Sequence, residues 1–253
     1  MRITVFIKGM PFSVFLKGLP FYLKDYYEIK RQARQSARNF PFGKFYPCLD
    51  DRSRESGTAS GHYFHQDLLV ANKIFKNNPA KHVDIGSRID GLVAHVASFR
   101  EIEVLDIREL RRDIQNVRFQ RVDLMDKIFR LTDYCDSVSC LHALEHFGLG
   151  RYGDKVDYDG HLMGWENIYR LLKKNGKFYF SVPIGEQRIE FNAHRVFSIK
   201  YLLTWFAGKY KIDSFAYVDD SGHLITDGEL KEQHVQDNFS CHYGCGIFEL
   251  SKM

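Results

Sequence analysis

Two rhythms of apolar residues alternate along most of the chain. Short runs of continuous or alternating apolar positions predict strands, and longer runs with apolar residues three and four apart predict helices. A helix over Asp67 to Phe75 precedes a strand at Val83 inside "HVDIGSRIDGLVAHV". "EIEVLDI" predicts a second strand ending at Asp106, "NVRFQRVDL" a third ending at Asp123, and "YCDSVSCL" a fourth ending near Cys140. "HLMGWENIYRLLKKNG" reads as an amphipathic helix stopped by Asn175-Gly176, a C-cap signal. "KFYFSVP" is a fifth strand, ended by Pro183. "SIKYLLTWFAG" is a helix capped by Ser198 and closed by Gly208, and "KIDSFAYV" and "YGCGIFELSK" are the last two strands.

Strands alternating with helices predict an α/β, Rossmann-like domain. The expected architecture is a mostly parallel seven-stranded sheet with helices on both faces, over residues 61–253. Residues 1–60 form an expected N-terminal arm and active-site cover. Within the arm, "IKGMPF" at Ile7 and "LKGLPF" at Leu16 are near-duplicates, expected as two short extended or turn units. A charged, aromatic helix is expected from Asp25 to Arg38, then a long loop from Asn39 to Asp67. The aromatic end of that loop, His62 to Gln66, is expected as an ordered cover over the site.

Composition narrows the function classes. Lys and Arg exceed Asp and Glu by 36 − 32 = 4, and the one basic run, "KRQARQSAR", reads as a solvated helix face, so no nucleic-acid partner is expected. Lys8, Pro11, Lys17 and Pro20 interrupt the apolar N-terminus, so neither a membrane span nor a signal peptide is expected. The five cysteines form no C-x-x-C pair. Cys241 and Cys245 flank His242, but no second ligand pair has zinc-site spacing, so free thiols in a reducing cytoplasm are expected.

In a parallel sheet, ligands bind beyond the carboxyl ends of the strands. Asp84, Asp106, Asp123 and Cys140 all fall there. Asp106 lies 22 residues after Asp84, near the ~20-residue offset of an acid that bonds ribose hydroxyls. That offset suits NAD or another adenosine ligand equally. The loop "GSRIDG" discriminates: Arg88 stands where a dinucleotide fold needs a glycine to admit the pyrophosphate. A nucleoside ligand without phosphate needs only a bend at Gly86.

Five motifs, "HVDIGSRIDG", "VLDIREL", "RVDLMD", "SVSCLHALEHF" and "LLKKNGKFYFSVP", resemble in order and spacing those of class I S-adenosylmethionine-dependent methyltransferases. The resemblance spans about Gly61 to Met253. "GHYFHQDL", "LEHFGLGRYGD" and "NAHRVFS" look more narrowly like a little-characterised branch associated with bacterial surface-polysaccharide (capsule) modification. The resemblance implies that Gly86 and Ser87 line the methionine end of S-adenosylmethionine. It implies that Asp106 binds the ribose with Ile107 against adenine, and that Asp123 bonds the adenine amino group with Leu124 on the ring. Cys140 and Leu141 follow beneath the methyl donor. Asp84 matches the family's strand-one acid, whereas Arg88 replaces a family glycine, which leaves the course of the loop open. His65 and Gln66 are candidate cofactor lids.

His142, Glu145 and His146 are spaced to share one helix face. A histidine oriented by a carboxylate suits removal of a hydroxyl proton during methyl transfer. His146 or His142 is therefore the candidate base, with Glu145 orienting it. The run is also similar to an E-x-x-E-H metal motif of some quinone-pathway O-methyltransferases, which makes the same trio candidate ligands of a divalent metal. Arg151 in "GLGRYGD", and His194 with Arg195 after strand five, are candidate acceptor-binding residues. The expected activity is methyl transfer to oxygen on a glycan precursor, yielding S-adenosylhomocysteine, or to a phosphate or phosphoramidate of a capsule precursor. Two rivals remain: an NAD-dependent sugar oxidoreductase, and a catalytically silent subunit docking, or dimerising, through the arm.

Overall fold

The computed structural model describes residues 12–38 and 40–253. By internal packing the chain divides into two compact units, Met1–Thr58 and Ala59–Met253.

In the first unit, helix α1 (Phe12–Gln35) carries Pro20 within it. The second copy of the duplicated segment, Leu16 to Phe21, therefore lies in a helix and not in the expected turn. The first copy begins outside the described residues. The expected Asp25–Arg38 helix is the C-terminal half of α1. Tyr26 packs on Phe45 at 4.9 Å and edge-on to Phe42 at 6.1 Å, and Arg52 pairs with Asp25 at 2.7 Å.

The second unit begins with α2 (His62–Asn77), closed by Asn78 in a left-handed conformation. The His62–Gln66 stretch, expected as a loop end, forms the first turns of this helix. Val70, Ala71 and Ile74 are its buried stripe, so the apolar face sets the helix and the aromatic start extends it. Then come β1 (His82–Ile85), a wide helical turn at Ile89–Val93 running into α3 (Ala94–Ala97), β2 (Ile102–Asp106), β3 (Val117–Arg121) and β4 (Cys135–Leu141). They are followed by α4 (Gly160–Leu171), β5 (Leu172–Ile184), a hairpin of β6 (Arg188–Glu190) and β7 (His194–Val196), and α5 (Ile199–Phe206). The unit closes with β8 (Tyr210–Val218), the short β9 (Leu224–Ile225), α6 (Glu232–Gln236) and β10 (Gly244–Lys252).

The main sheet has eight strands in the order β3-β2-β1-β4-β5-β10-β8-β9, one more than expected because β9 adds an edge. β3 through β5 are parallel, and β10 is inserted antiparallel between β5 and β8. The strand order reverses between β1 and β4, which opens a crevice at their carboxyl ends. Asn175-Gly176 is not a helix cap. α4 ends at Leu171, and the pairing jumps from Cys135–Leu172 to Ser137–Lys177, so these residues bulge out of β5 with Asn175 at φ 62°.

Core packs on both faces of the sheet. On one side Trp165 of α4 contacts Phe178, Phe180, Trp205, Phe206 and Tyr210 at ring separations of 5.2–5.6 Å. On the other, Val70 and Ile74 pack with Val93, Val96, Val104 and Ile247.

Candidate active site

The crevice at the β1/β4 switch point holds a cleft of about 260 Å³. Gly86, Arg88, Asp106, Ile107, Asp123, Leu124, Leu141, His142, His146 and Arg151 line it, so ten of the expected site residues come together. Asp84 and Cys140 lie fully buried beneath it. Ser87, Glu145, His65, His194 and Arg195 are not part of the lining.

The glycine turn is built from below. Asp84 accepts hydrogen bonds from the Ser87 amide (3.0 Å), the Ser87 hydroxyl (2.7 Å) and the Ser139 hydroxyl (2.6 Å). Ser139 and Ser137 in turn meet the two ring nitrogens of His82. Burial pushes Asp84 up to about 6 despite those bonds. Gly86 sits at φ 67°, and a Cβ there would stand 3.1 Å from the Ala143 Cβ, so both conformation and space favour glycine. Arg88 turns outward to Asp90 (2.7 and 3.0 Å) with its guanidinium 5.2 Å from the Tyr63 ring. Its charge is thus answered at the rim.

Asp106 ends β2 with both oxygens held by Arg108. Oδ1 accepts the Arg108 amide (2.8 Å) and Nε (3.0 Å), and Oδ2 accepts a terminal guanidinium N–H (2.6 Å). Asp123 caps the turn after β3 through the Met125 amide at 2.8 Å.

After β4 the chain makes a sharp turn, not a helix. His142 has φ 49° and only Leu144–His146 form a 3-10 turn. The trio still converges: Glu145 Oε1 lies 2.8 Å from His142 Nδ1 and 3.7 Å from His146 Nε2. It does not gather as three metal donors. Among the described residues, the group whose donor atoms lie within 4.8 Å of one another is His62, His142 and Cys245. Burial lowers His146, and Glu145 only partly offsets it. For His142 burial also opposes charge, but Cys245 and Glu145 together raise it well above the ordinary value. His146 Nδ1 donates to the Ala193 carbonyl at 2.6 Å, so its proton sits there and Nε2 is the basic nitrogen.

The "GLGRYGD" loop folds around Asp154, which accepts from the amides of Gly148, Gly150 and Tyr152 (2.8–3.1 Å). That carboxylate holds Arg151 at the cleft, where it donates to the Ala193 carbonyl at 2.9 Å. Arg195, expected at the acceptor, is 4% exposed. It donates to the carbonyls of Glu145, Phe147 and Tyr158, clamping the turn that carries the trio. His194 stands 3.2 Å from Glu190, outside the cleft. His65 sits on α2 against Phe64. Gln66, its companion, is buried and accepts from Ser181.

Tyr63, within the expected cover, joins the lining, whereas residue-by-residue reading missed Arg108, Tyr152 and Asp154. Arg108, Tyr152 and Asp154 each lie within a motif singled out above, one to a few residues past the position chosen.

A family profile matches residues 90–242, more than half of the chain. The chain belongs to the family described as Caenorhabditis protein of unknown function, DUF268. The match leaves the glycine turn, α2 and β10 of this DUF268 chain outside it. No curated protein matches. Among solved structures, one similar chain is a Burkholderia thailandensis 1,6-didemethyltoxoflavin-N1-methyltransferase with bound 1,6-didemethyltoxoflavin and S-adenosylhomocysteine. It is 14% identical with a TM-score of 0.52, over 74% of this chain and 78% of that one. The [4+2]-cyclase SpnF is likewise 14% identical with a TM-score of 0.52, over 74% and 80%. The N-methyltransferase NodS from Bradyrhizobium japonicum WM9 is 10% identical with a TM-score of 0.50, over 81% and 99%. The DUF268 chain thus has the Rossmann-like fold of methyltransferases. No described helix is long and apolar enough to cross a membrane.

Proposed function

We propose that this protein is an S-adenosylmethionine-dependent methyltransferase acting on oxygen, its acceptor a hydroxyl of a sugar or glycan precursor such as those of surface polysaccharides. The observation that carries the reading is one cleft lined both by the glycine turn with the strand-end acids and by proton-accepting residues. Gly86, Asp106, Ile107, Asp123 and Leu124 belong to the first set, and His142 and His146, with Arg151, to the second. The solved methyltransferase with bound S-adenosylhomocysteine supports the cofactor by likeness of fold. Arg88, standing where a dinucleotide fold needs a glycine, still places a Cβ in the loop and weighs against a pyrophosphate and so against NAD.

Bound there, S-adenosylmethionine would supply an electrophilic methyl group for transfer to an acceptor oxygen, leaving S-adenosylhomocysteine. The chain's part is to bind, orient and take the proton. Asp106 Oδ2 keeps one lone pair for a ribose hydroxyl, Asp123 and Leu124 face the adenine, and His146 Nε2 receives the hydroxyl proton. Glu145 stabilises the imidazolium that results, and Ser87 and Asp84 hold the turn from beneath. Arg151, for which no acidic partner occurs among the described residues, favours an acceptor carrying an anionic group. Methylation of a phosphate or phosphoramidate is the second reading on that ground.

Calorimetry with S-adenosylmethionine, S-adenosylhomocysteine and NAD tests the proposal. Binding of both sulfur ligands, weakened at least about tenfold in Asp106→Ala, is expected. Failure of both to bind, or preference for NAD, sinks it. Binding with no turnover on any glycan precursor supports a silent subunit instead.

A further inference from the structure

Three soft and borderline donors meet behind the cleft wall that His142 forms. His62 comes from the first turn of α2, His142 from the turn after β4, and Cys245 from β10. One atom of each lies within 4.8 Å of the others. Methyl transfer requires neither His62 nor Cys245.

The environment of His142 points to a ligand. Its Nδ1 is bonded to Glu145 at 2.8 Å, while Nε2 is buried and has no hydrogen-bond partner. A buried nitrogen left bare is costly. An imidazole whose other nitrogen donates to a carboxylate is the arrangement that metal-ligating histidines adopt. The side chain is 3% exposed, and its ring faces His62 at a centroid separation of 5.1 Å, near parallel at 12°. An ion bound by both lies in the plane of each ring, so coordination requires one of the two imidazoles to turn out of this parallel stack. Cys245 is wholly buried; its sulfur lies 3.6 Å from Gln66 and 3.9 Å from Gly246 and interacts with the His142 side chain. Donors on a tetrahedral zinc stand roughly 3.3–3.8 Å apart, so closure asks about an ångström of side-chain rotation.

We propose that His62, His142 and Cys245 bind a zinc ion, with Glu145 as the carboxylate that orients His142. One thiolate and two imidazoles suit zinc among abundant divalent ions. Coordination displaces the Cys245 thiol proton to solvent, so binding weakens in acid. Three protein ligands leave a fourth position for water or an oxygen ligand. The ion ties α2, the β4 exit and β10 together, and His142, which also lines the cleft, connects it to the site. Glu145 then holds His142 fixed, and His146 is the base.

The test uses the full chain, stripped with chelator and reloaded with zinc or cobalt(II). About one equivalent of zinc per chain is expected by mass spectrometry, with a raised Tm. Cobalt should give tetrahedral d–d bands and a thiolate-to-cobalt charge-transfer band. Cys245→Ser should abolish the charge-transfer band and weaken zinc binding at least about tenfold, while His146→Ala should leave both intact. His62→Ala, at a helix start, is a second variant that guards against misfolding of Cys245→Ser, with circular dichroism as control. Absence of micromolar zinc binding overturns the proposal. So does a cobalt spectrum without the thiolate band, or binding lost in His146→Ala but kept in Cys245→Ser and His62→Ala. None of these readouts depends on methyl transfer.

Discussion

The bond from His146 Nδ1 to the Ala193 carbonyl fixes one tautomer and leaves Nε2 to act. His146→Ala should lower kcat by about 10²–10⁴-fold while calorimetric affinity for S-adenosylmethionine changes little. A parallel loss of cofactor affinity would reassign the residue to binding. Because burial lowers the pKa of His146, the ring is unprotonated under mildly acidic conditions. The acid limb of kcat/KM should therefore lie below the ordinary imidazole value of about 6.5. These chemical groups were legible in the sequence because His, Glu and Asp at strand ends carry their own chemistry. Their partners were not. Arg195 looked like an acceptor ligand in "NAHRVFS", and only its three carbonyl contacts, made to residues 37–50 positions away, show a clamp. Cys245 lies 103 residues beyond His142, a separation that no local spacing encodes.

At the scale of elements, strands buried on both sides announced themselves and boundaries did not. β1, β2 and β4 are buried, and the polar residues that interrupt them, His82, Asp84, Glu103, Ser137 and Ser139, are taken up in hydrogen bonds. The Asn175-Gly176 pair misled because a left-handed residue ends a helix or makes a bulge with equal ease. The start of α2 misled because His62 to Gln66 gains its helix from the buried stripe that follows. α4 shows what packing adds: Trp165 is 2% exposed and touches five other aromatic rings. Trp165→Ala should cost about 3–5 kcal/mol in urea unfolding. A loss below about 1 kcal/mol would mean that the aromatic cluster re-closes.

For the whole molecule, two buried carboxylates set how stability follows pH. Burial raises Asp84 and Asp67 to about 6 each. The folded chain then holds protons that the unfolded chain has released above about 3.9, so stability falls as pH climbs from about 4 to 6. For Asp84 the cost reaches on the order of 3 kcal/mol. Glu145 is lowered: burial opposes its charge, but His142 outweighs it. It acts in the opposite sense, withdrawing support only below about 4.5. Urea midpoints at pH 4.5 and 6.5 should show Asp84→Asn gaining on the parent at the higher pH; equal slopes would exclude Asp84 as the source. Fold alone does not carry the chemistry, since a [4+2]-cyclase shares this architecture.

The grip of Arg108 on Asp106 has a kinetic consequence. Three of about four lone-pair sites on that carboxylate are already spoken for, so a ribose binding there as proposed would meet a competitor tethered two residues away. A competitor at such high local concentration weakens every nucleoside alike, and it hastens departure of the spent one. Arg108→Gln should bind S-adenosylhomocysteine several-fold more tightly and release it more slowly by stopped-flow. Unchanged release would show that the guanidinium moves with the ligand. If Asp106 binds the ribose as proposed, Arg108 works as an ejector as much as a wall.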